Sequence, residues 1–256
     1  MTIDADAVFR VFLVFVRVSG LLVTAPFFSR PFIPVLVKVL LAVLLAFVLA
    51  GFVAGPLPPH VEHPVGFVVA LAIEAGTGLL LGFAARFVFM AVQTAGEAIG
   101  FQMSLSMAQA YSPMAGGGAG PIGQVLSLAF LLLFVMLDGP AHLVRALAGS
   151  FEAVPLGGAQ LTAGGPLLIQ WTGRFFAVAL RLAAPFMVAM LLLDVALGIF
   201  ARVVPQADLF AISLPAKLVL GLGAFLVFLQ GFVMLAPGLL DGVATDLVDM
   251  ISALAP

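Results

Sequence analysis

The sequence predicts an all-α integral membrane protein, and composition and hydropathy are the observations that predict it. Hydrophobic residues make up 64% of the 256 residues, charged residues only 9%, and mean hydropathy is +1.29. A soluble domain carries about a quarter charged residues, so this chain cannot cover a water-soluble surface. About six apolar stretches approach the ~20 residues that a spanning helix needs: Ala7–Ala25, Val35–Ala54, Val65–Val92, Ile122–Leu137, Trp171–Phe200 and Ala216–Leu235.

The first apolar stretch follows an acidic N-terminus, MTIDADAVFRVFLVFVRVSG. A secretory signal peptide has a basic start, an uninterrupted apolar run and a small-residue cleavage site. Here Arg10 and Arg17 lie inside the apolar run, and no clear cleavage site follows. We therefore expect this segment to be retained as the first helix.

Glycine and proline interrupt several of the later stretches, as at Gly76, Gly78, Gly82 and Pro185. Proline inside a helix removes one backbone hydrogen bond and kinks the helix. In a membrane this is tolerated where neighbouring helices or water satisfy the freed carbonyl. We therefore expect broken helices that pack against protein neighbours.

The connections between the stretches differ in character. GPLPPHVEHP, residues 55–64, is a short proline-rich turn, and Asp138–Gln170 combines a short amphipathic helix with glycine-rich turns. The connection Met103–Gln124 is long and glycine-rich, yet no charged residue lies between Glu97 and Asp138. A solvated loop would normally carry charge, so this connection is unlike an ordinary linker.

Ionisable residues lie within the apolar stretches, where they are costly. Arg10 and Arg17 are seven residues apart, as are Arg174 and Arg181, so each pair returns to nearly the same helix face. Glu74 and Asp194 lie deeper, where a charge costs at least ~2.5 kcal/mol unless it is paired or reaches water. None of the six should face lipid. Two interpretations stay open: an ion or proton relay through the two carboxylates, or pairing with arginines at helix or subunit contacts.

Composition and motifs give no support to catalysis or to nucleic-acid binding. The formal net charge is -2, so the chain lacks the basic surface that a phosphate backbone attracts. Without cysteine it can form neither disulfides nor thiolate metal sites. The glycine run GGGAGP lacks the lysine and hydroxyl residue of a phosphate-binding loop. We expect a protein that is not an enzyme, with no catalytic residue, cofactor or metal.

Three motifs give the chain a family resemblance. The first is GEAIGFQMSLSMAQAYSP, residues 96–113, in which Gly96, Gly100, Gln102, Ala108 and Pro113 match a Gly-x3-Gly-x-Gln pattern that runs to an alanine and a proline. Ser104 stands where glycine is usual, and Ser112 where aspartate is usual. The second is HLVRALAGSFEAVPLG, residues 142–157, a short helix followed by Ser-Phe and Pro-x-Gly.

The third motif is DVALGIFARVVPQADLFAISLPAKLVLGL, residues 194–222. Its Pro-Gln and Leu-Pro-x-Lys elements are matched by Pro205, Gln206, Phe210, Pro215 and Lys217, while Asp208 replaces a usual asparagine. In this order and spacing, the three motifs resemble the FliR family of flagellar biosynthesis proteins and its injectisome counterparts. The resemblance covers nearly the whole chain, which is treated as one FliR-like export-gate domain, residues 1–256.

The resemblance implies a subunit of a FliP/FliQ/FliR-like helical export-gate assembly in the bacterial inner membrane, at the flagellar basal body or injectisome base. Its fold would consist of tilted, broken hairpins, many raised out of the bilayer, in contact with membrane lipid. FliP-like, FliQ-like and FlhB-like membrane proteins are the implied partners. The implied function is to form and gate the pore through which unfolded export substrates cross the membrane.

The residues of the uncharged connection lead to a further hypothesis, that Ser106–Pro121 forms a plug closing the resting pore. Flexible methionines can fill an irregular constriction, and glycines let the segment swing aside. The plug residues are Ser106, Met107, Tyr111, Pro113, Met114, Gly116, Gly117, Gly118, Gly120 and Pro121. The alternative interpretation is an external loop. We also expect a tight hairpin or helix break over Pro205–Lys217, because two prolines interrupt an apolar region.

Three alternative functions stay open at the level of the sequence. The family also serves virulence type III secretion, which the sequence does not separate from flagellar export. A secondary transporter would carry its site at discontinuous helices and show an internal repeat, and no repeat is visible. A passive scaffold would have no reason for an uncharged, methionine-bearing, glycine-rich connection.

Overall fold

A computed structural model describes residues 5–30, 32–53, 63–105, 120–204 and 209–256, and these contain α-helices and no strand. The described residues form seven α-helices and one 3-10 turn, at Leu161–Ala163. The helices are α1 Ala5–Thr24, α2 Val35–Ala50, α3 Pro64–Gln102, α4 Pro121–Met136, α5 Gly139–Ala153, α6 Gly164–Val203 and α7 Leu209–Leu254. The predicted all-α class is confirmed: each of the six apolar stretches has most of its residues in a helix, and the seventh helix, α5, is the amphipathic one.

Four helical segments are long and apolar enough to cross a membrane, and a fifth crossing is possible where α4 and α5 meet at a 68° bend. The four are Asp6–Thr24, Pro64–Gln102, Leu161–Val203 and Ile212–Leu254. The remaining helix, α2, has only 16 residues. At 1.5 Å per residue, α6 is about 60 Å long and α7 about 69 Å, against ~30 Å of bilayer hydrocarbon. Both helices must therefore tilt strongly or extend beyond the bilayer.

The helices are less interrupted than expected. α3 runs unbroken through Gly76, Gly78 and Gly82, and α6 runs unbroken through Pro185. The three glycines can remain helical because packing against neighbouring residues offsets their low helix propensity. The expected interruptions at these four residues are therefore wrong.

A break does separate α6 from α7, but it is shorter than predicted. α6 ends at Val203 and α7 begins at Leu209, while Pro215 lies inside α7. Pro205 and Gln206 lie outside the described residues. The predicted break over Pro205–Lys217 therefore ends before Pro215.

The chain divides into two compact units, each with its own core. Unit 1 comprises residues 1–87, 134–172 and 240–256, and its buried side chains include Leu13, Leu81, Leu147 and Trp171. Unit 2 comprises residues 88–133 and 173–239. Its centre is aromatic: the Phe130 ring lies 4.6 Å from that of Phe89 and 6.1 Å from that of Phe232.

Candidate functional site

Unit 1 contains a fully buried ion pair between α1 and α3. The side chains of Arg17 and Glu74 are both 0% exposed. Arg17 Nε donates to Glu74 Oε2 at 2.5 Å, and Nη2 donates to Glu74 Oε1 at 3.0 Å. Two parallel bonds of this kind fix both side chains more strictly than a single contact does. The carboxylate predicted to lie deep in an apolar helix therefore has an arginine from the same chain as its partner.

The end of α5 and the residues after it complete this cluster. Arg17 Nη1 donates to the carbonyl oxygens of Ser150 and Val154, at 3.2 and 3.1 Å, and to Ser150 Oγ at 3.3 Å. The Arg17 guanidinium carbon also lies 4.3 Å from the centre of the Phe151 ring. Gly157, at φ 69°, donates its backbone N–H to Glu74 Oε1 at 2.7 Å. We call Arg17, Glu74 and these partners the polar cluster.

The polar cluster explains the second sequence motif in physical terms. The Ser-Phe pair supplies a hydroxyl, a carbonyl and a ring to Arg17, and the glycine of Pro-x-Gly supplies an N–H to Glu74. Only glycine adopts a positive φ without strain, so Gly157 can aim its N–H at the carboxylate. Sequence reasoning missed Ser150, Phe151 and Gly157 as site residues, although the motif that contains them was the available signal.

Glycines bring α1 and α3 close enough for the ion pair to form. A Cβ atom on Gly78 would overlap the carbonyl oxygen of Arg17, and one on Gly20 would lie 2.9 Å from the carbonyl oxygen of Ala75. A Cβ on Gly82 would overlap the hydroxyl of Thr24. Gly78 and Gly82 form a Gly-x3-Gly pair, the spacing that lets membrane helices approach closely. The sequence carries this signal, but the pair was interpreted as a helix interruption.

The other predicted ionisable residues have different surroundings. Arg10 is half-buried, and its Nη1 donates to the carbonyl oxygen of Val53 at 3.0 Å. Arg174 and Arg181 are exposed on α6. In unit 2, Lys217 Nζ lies 2.7 Å from Asp194 Oδ1, with 21% and 39% of the two side chains exposed. This pair joins α7 to α6 across the break after Val203, and its cation is a lysine, not an arginine.

Packed residues of unit 2 lie on either side of the predicted plug. Residues 106–119, which include Ser106, Met107, Tyr111, Pro113, Met114 and Gly116–Gly118, lie outside the described residues. Just before them, the buried side chain of Met103 packs on Gly221 of α7. Just after them, Gly120 and Pro121 lead into α4, where Gly123 packs so closely on Gly96 that a Cβ on Gly96 would lie 2.7 Å from the Gly123 Cα.

The first motif ends α3 with a defined backbone turn. The Leu105 N–H bonds the Gly100 carbonyl at 3.1 Å, and the Ser104 N–H bonds the Phe101 carbonyl at 3.0 Å. Ser104 has φ 62°. This pair of bonds around one left-handed residue is the Schellman motif, in which glycine is the usual left-handed residue. Ser104 therefore occupies a position whose backbone favours the glycine that the motif usually carries there.

The remaining motif residues are distributed along the helices that flank these turns. Gln102 is the last residue of α3, and Phe210 lies in the first turn of α7. Pro215 is exposed inside α7, and Lys217 is the partner of Asp194. Among the residues that the structure describes, no three His, Asp or Glu side chains lie close enough together to hold a metal ion.

The chain is similar to known proteins over most of its length. Residues 8–243 match the profile of a family described as bacterial export proteins, family 1. The flagellar biosynthetic protein FliR of Escherichia coli is 32% identical over 242 residues, which cover 93% of this chain and 91% of that protein. FliR of Bacillus subtilis is 31% identical, covering 80% of each chain. FliR of Caulobacter vibrioides is 29% identical, covering 87% of this chain and 89% of the relative.

Proposed function

This chain belongs to the family of bacterial export proteins, family 1, and from that premise we propose that it is a pore-forming and gating subunit of the flagellar type III export apparatus. It is an integral protein of the inner membrane at the flagellar base. In this proposal it lines part of the path by which unfolded substrates cross the membrane, with energy supplied elsewhere in the apparatus. We favour flagellar over virulence secretion because the similar proteins are flagellar biosynthetic proteins.

Assembly with other membrane proteins is supported by the exposed apolar surface of the longest helices. On α6, Ile169, Leu192 and Val203 are 77%, 65% and 74% exposed, and they span 34 residues of the helix. That separation corresponds to about 51 Å along the axis, which exceeds the ~30 Å that lipid can cover on an upright helix. Protein must therefore cover part of this surface unless the helix tilts steeply. We propose FliP-like, FliQ-like and FlhB-like proteins as these partners.

The observation that carries the gating proposal is the packing at the two ends of the Ser106–Pro121 segment. The backbones of α3 and α4 are in contact at Gly96 and Gly123, and the buried side chain of Met103 packs on Gly221. The segment thus leaves and returns near one helix crossing, although residues 106–119 could reach about 46 Å when extended. Packed flanking positions and a long intervening segment are what a plug requires.

The chemistry of the segment supports the same proposal. A resting pore must exclude ions and small solutes, and an uncharged segment leaves no unpaired ion in a dry constriction. Met107 and Met114 supply flexible apolar side chains that adapt to an irregular opening. Gly116–Gly118 and Gly120 permit the backbone to rearrange when a substrate enters.

Deletion of Met114–Gly120 tests the gating proposal. We expect the export complex to assemble, because the deleted residues lie between the packed positions Met103 and Gly123. The membrane should become permeable to small solutes, measured as dye entry or as growth sensitivity to normally excluded compounds.

The matched control replaces Met107 and Met114 by leucine, which preserves apolar volume and should preserve the seal. The deletion variant should leak while the leucine variant should not. A deletion variant that assembles and leaves the membrane as tight as the intact protein contradicts the gating role.

A further inference from the structure

Arg181 is an exposed arginine near the middle of α6. Its side chain forms no hydrogen bond or ion pair with the part of the chain that the structure describes. The residue lies 17 positions after the start of α6 and 22 before its end, about 26 and 33 Å along the axis. Arg17, by contrast, is fully buried and bonded to both oxygens of Glu74. Arg17 is thus satisfied within the chain, whereas Arg181 has no partner among the residues that the structure describes.

Pro185 removes a backbone hydrogen bond at the same place. Proline has no N–H, so the helix bond from residue 185 to the carbonyl oxygen of Arg181 cannot form. α6 nevertheless continues through Pro185, and this proline is exposed. The other prolines inside described helices, Pro215 and Pro237, free the carbonyls of Ala211 and Val233, which are apolar residues. Among the interior prolines of the described helices, only Pro185 frees the carbonyl of a residue that carries a guanidinium.

The nearest residues on the face of α6 that carries Arg181 are apolar: Ala177 and Pro185 are exposed and Val188 is 57% exposed, while the exposed Arg174 lies two turns away. A charged group on such a surface is costly in a membrane unless it is paired or reaches water. At this point of the helix, the apolar side chains require an apolar environment. The Arg181 guanidinium and the Arg181 carbonyl require hydrogen-bond partners at the same point.

We propose that Arg181 and its freed carbonyl form a docking point for a helix of a neighbouring membrane subunit that carries a carboxylate opposite Arg181 and a hydrogen-bond donor for the carbonyl. Charge complementarity argues for the carboxylate, because an Arg–carboxylate pair supplies two parallel hydrogen bonds. A polar donor such as serine, threonine or asparagine, which are the groups that hydrogen-bond across membrane helices, satisfies the carbonyl. The inference rests on the proposed function, since it needs a partner subunit.

The absence of cysteine from the sequence allows a direct accessibility test. Arg181→Cys places one thiol in the chain, co-expressed with the other export-apparatus proteins in native membranes. A membrane-impermeant, water-soluble maleimide should label this thiol at least about tenfold more slowly in the assembled complex than after denaturation in detergent. Labelling at the same rate in both states would show that Arg181 faces water, which overturns the docking point.

Charge reversal at Arg181 distinguishes a protein partner from a lipid headgroup. Arg181→Glu should lower the amount of co-purified partner subunits at least about tenfold, because like charges at an interface cost several kcal/mol and each 1.4 kcal/mol is a factor of ten. Arg181→Lys, which keeps the charge but loses the bidentate geometry, should fall between Arg181→Glu and the unchanged protein. Arg202→Glu reverses an exposed charge in the last turn of the same helix and should leave partner recovery within about twofold of normal.

Each other outcome overturns the inference. A protected Arg181→Cys together with normal partner recovery for Arg181→Glu assigns Arg181 to lipid. Equal loss for Arg181→Glu and Arg202→Glu shows that charge reversal acts without regard to the docking point. If no partner subunit co-purifies with the unchanged chain, the proposed function itself is contradicted, whatever the labelling of Arg181→Cys shows.

Discussion

At the scale of single residues, the buried pair Arg17–Glu74 is the contact whose loss should lower the stability of the protein most. Neither side chain is exposed to solvent, and together they link α1, α3 and the end of α5. Removing one member of a buried pair leaves an uncompensated charge or orphaned donors and costs about 3–5 kcal/mol. Replacing both members by apolar residues removes the charges together and costs less than the sum of the single changes.

The first prediction concerns this pair. Glu74→Leu and Arg17→Met should each lower the thermal midpoint and the membrane level of the assembled complex, and the double variant should lose less than the two single losses combined. The expected coupling is of the order of 1–3 kcal/mol. Glu152→Gln, an exposed carboxylate beside Phe151, is the control and should change neither quantity. Additive losses would show that the pair contributes no mutual stabilisation.

A second prediction concerns Ser104, which adopts φ 62° in the turn that ends α3. A left-handed backbone costs a non-glycine residue roughly 1–2 kcal/mol. Ser104→Gly should therefore stabilise the complex by about 1 kcal/mol, part of the gain being offset by greater freedom of the unfolded chain. Ser252→Gly, at an exposed position inside α7, should instead destabilise it. The two changes are compared by thermal unfolding, and a lower midpoint for Ser104→Gly contradicts the assignment of this turn.

The sequence allowed part of this residue-scale account to be predicted. The cost of an intramembrane charge indicated that Glu74 and Asp194 need partners. The identity of the partners could not be predicted, because Arg17 and Glu74 are 57 residues apart and meet only where α1 crosses α3. The Schellman turn at Ser104 is a local feature, and the departure from a usual glycine was visible in the motif.

At the scale of elements, glycine determines how closely α1 and α3 approach. Gly78 lies against the carbonyl oxygen of Arg17, and Thr24 Oγ1 bonds the carbonyl oxygen of Leu79 at 3.3 Å. Backbone atoms cannot move aside as the end of a flexible side chain can. Adding a single methyl group at Gly78 must therefore push the two helices apart. Moving the two helices apart at Gly78 also moves Arg17 away from Glu74. The close helix crossing and the ion pair therefore depend on each other.

A third prediction follows at this scale. Gly78→Ala should reduce the level of folded protein strongly, by an effect comparable to losing Glu74, whereas Gly173→Ala should be neutral or slightly stabilising. A Cβ on Gly173 meets nothing within 4 Å, and alanine is the better helix former. Membrane levels of the two variants under equal expression provide the measurement. Equal levels would mean that α1 and α3 do not cross as closely as described.

Helix existence was predictable from hydropathy, while helix continuity was not. Proline and glycine suggested breaks at Pro185 and Gly76–Gly82, where the helices are continuous. At the three glycines, local propensity is outweighed by close packing against neighbouring residues, which a single sequence does not reveal. The break after Val203 was predicted because two prolines interrupt an apolar region, and its shorter extent reflects that Pro215 is accommodated inside α7.

At the scale of the whole molecule, two features point to an assembled state. The long helices α6 and α7 expose more apolar length than an upright helix offers to a bilayer, and Arg181 lacks a partner among the described residues. The carboxylates give the secondary-transporter interpretation little support, because Glu74 and Asp194 each already have a basic partner. Our central proposal is that this chain lines a protein-conducting channel and that the Ser106–Pro121 segment closes it.

Cross-linking to a stalled substrate tests that claim most directly. An export substrate fused to a stably folded domain enters the channel and cannot clear it, and single-cysteine variants of this cysteine-free chain then report which residues it touches. We predict that Met107→Cys and Met114→Cys form disulfides with a cysteine in the stalled segment, and that the same substrate without the folded domain gives no such product. If the stalled substrate remains bound to the complex while neither variant captures it, the substrate passes elsewhere and the central claim is contradicted.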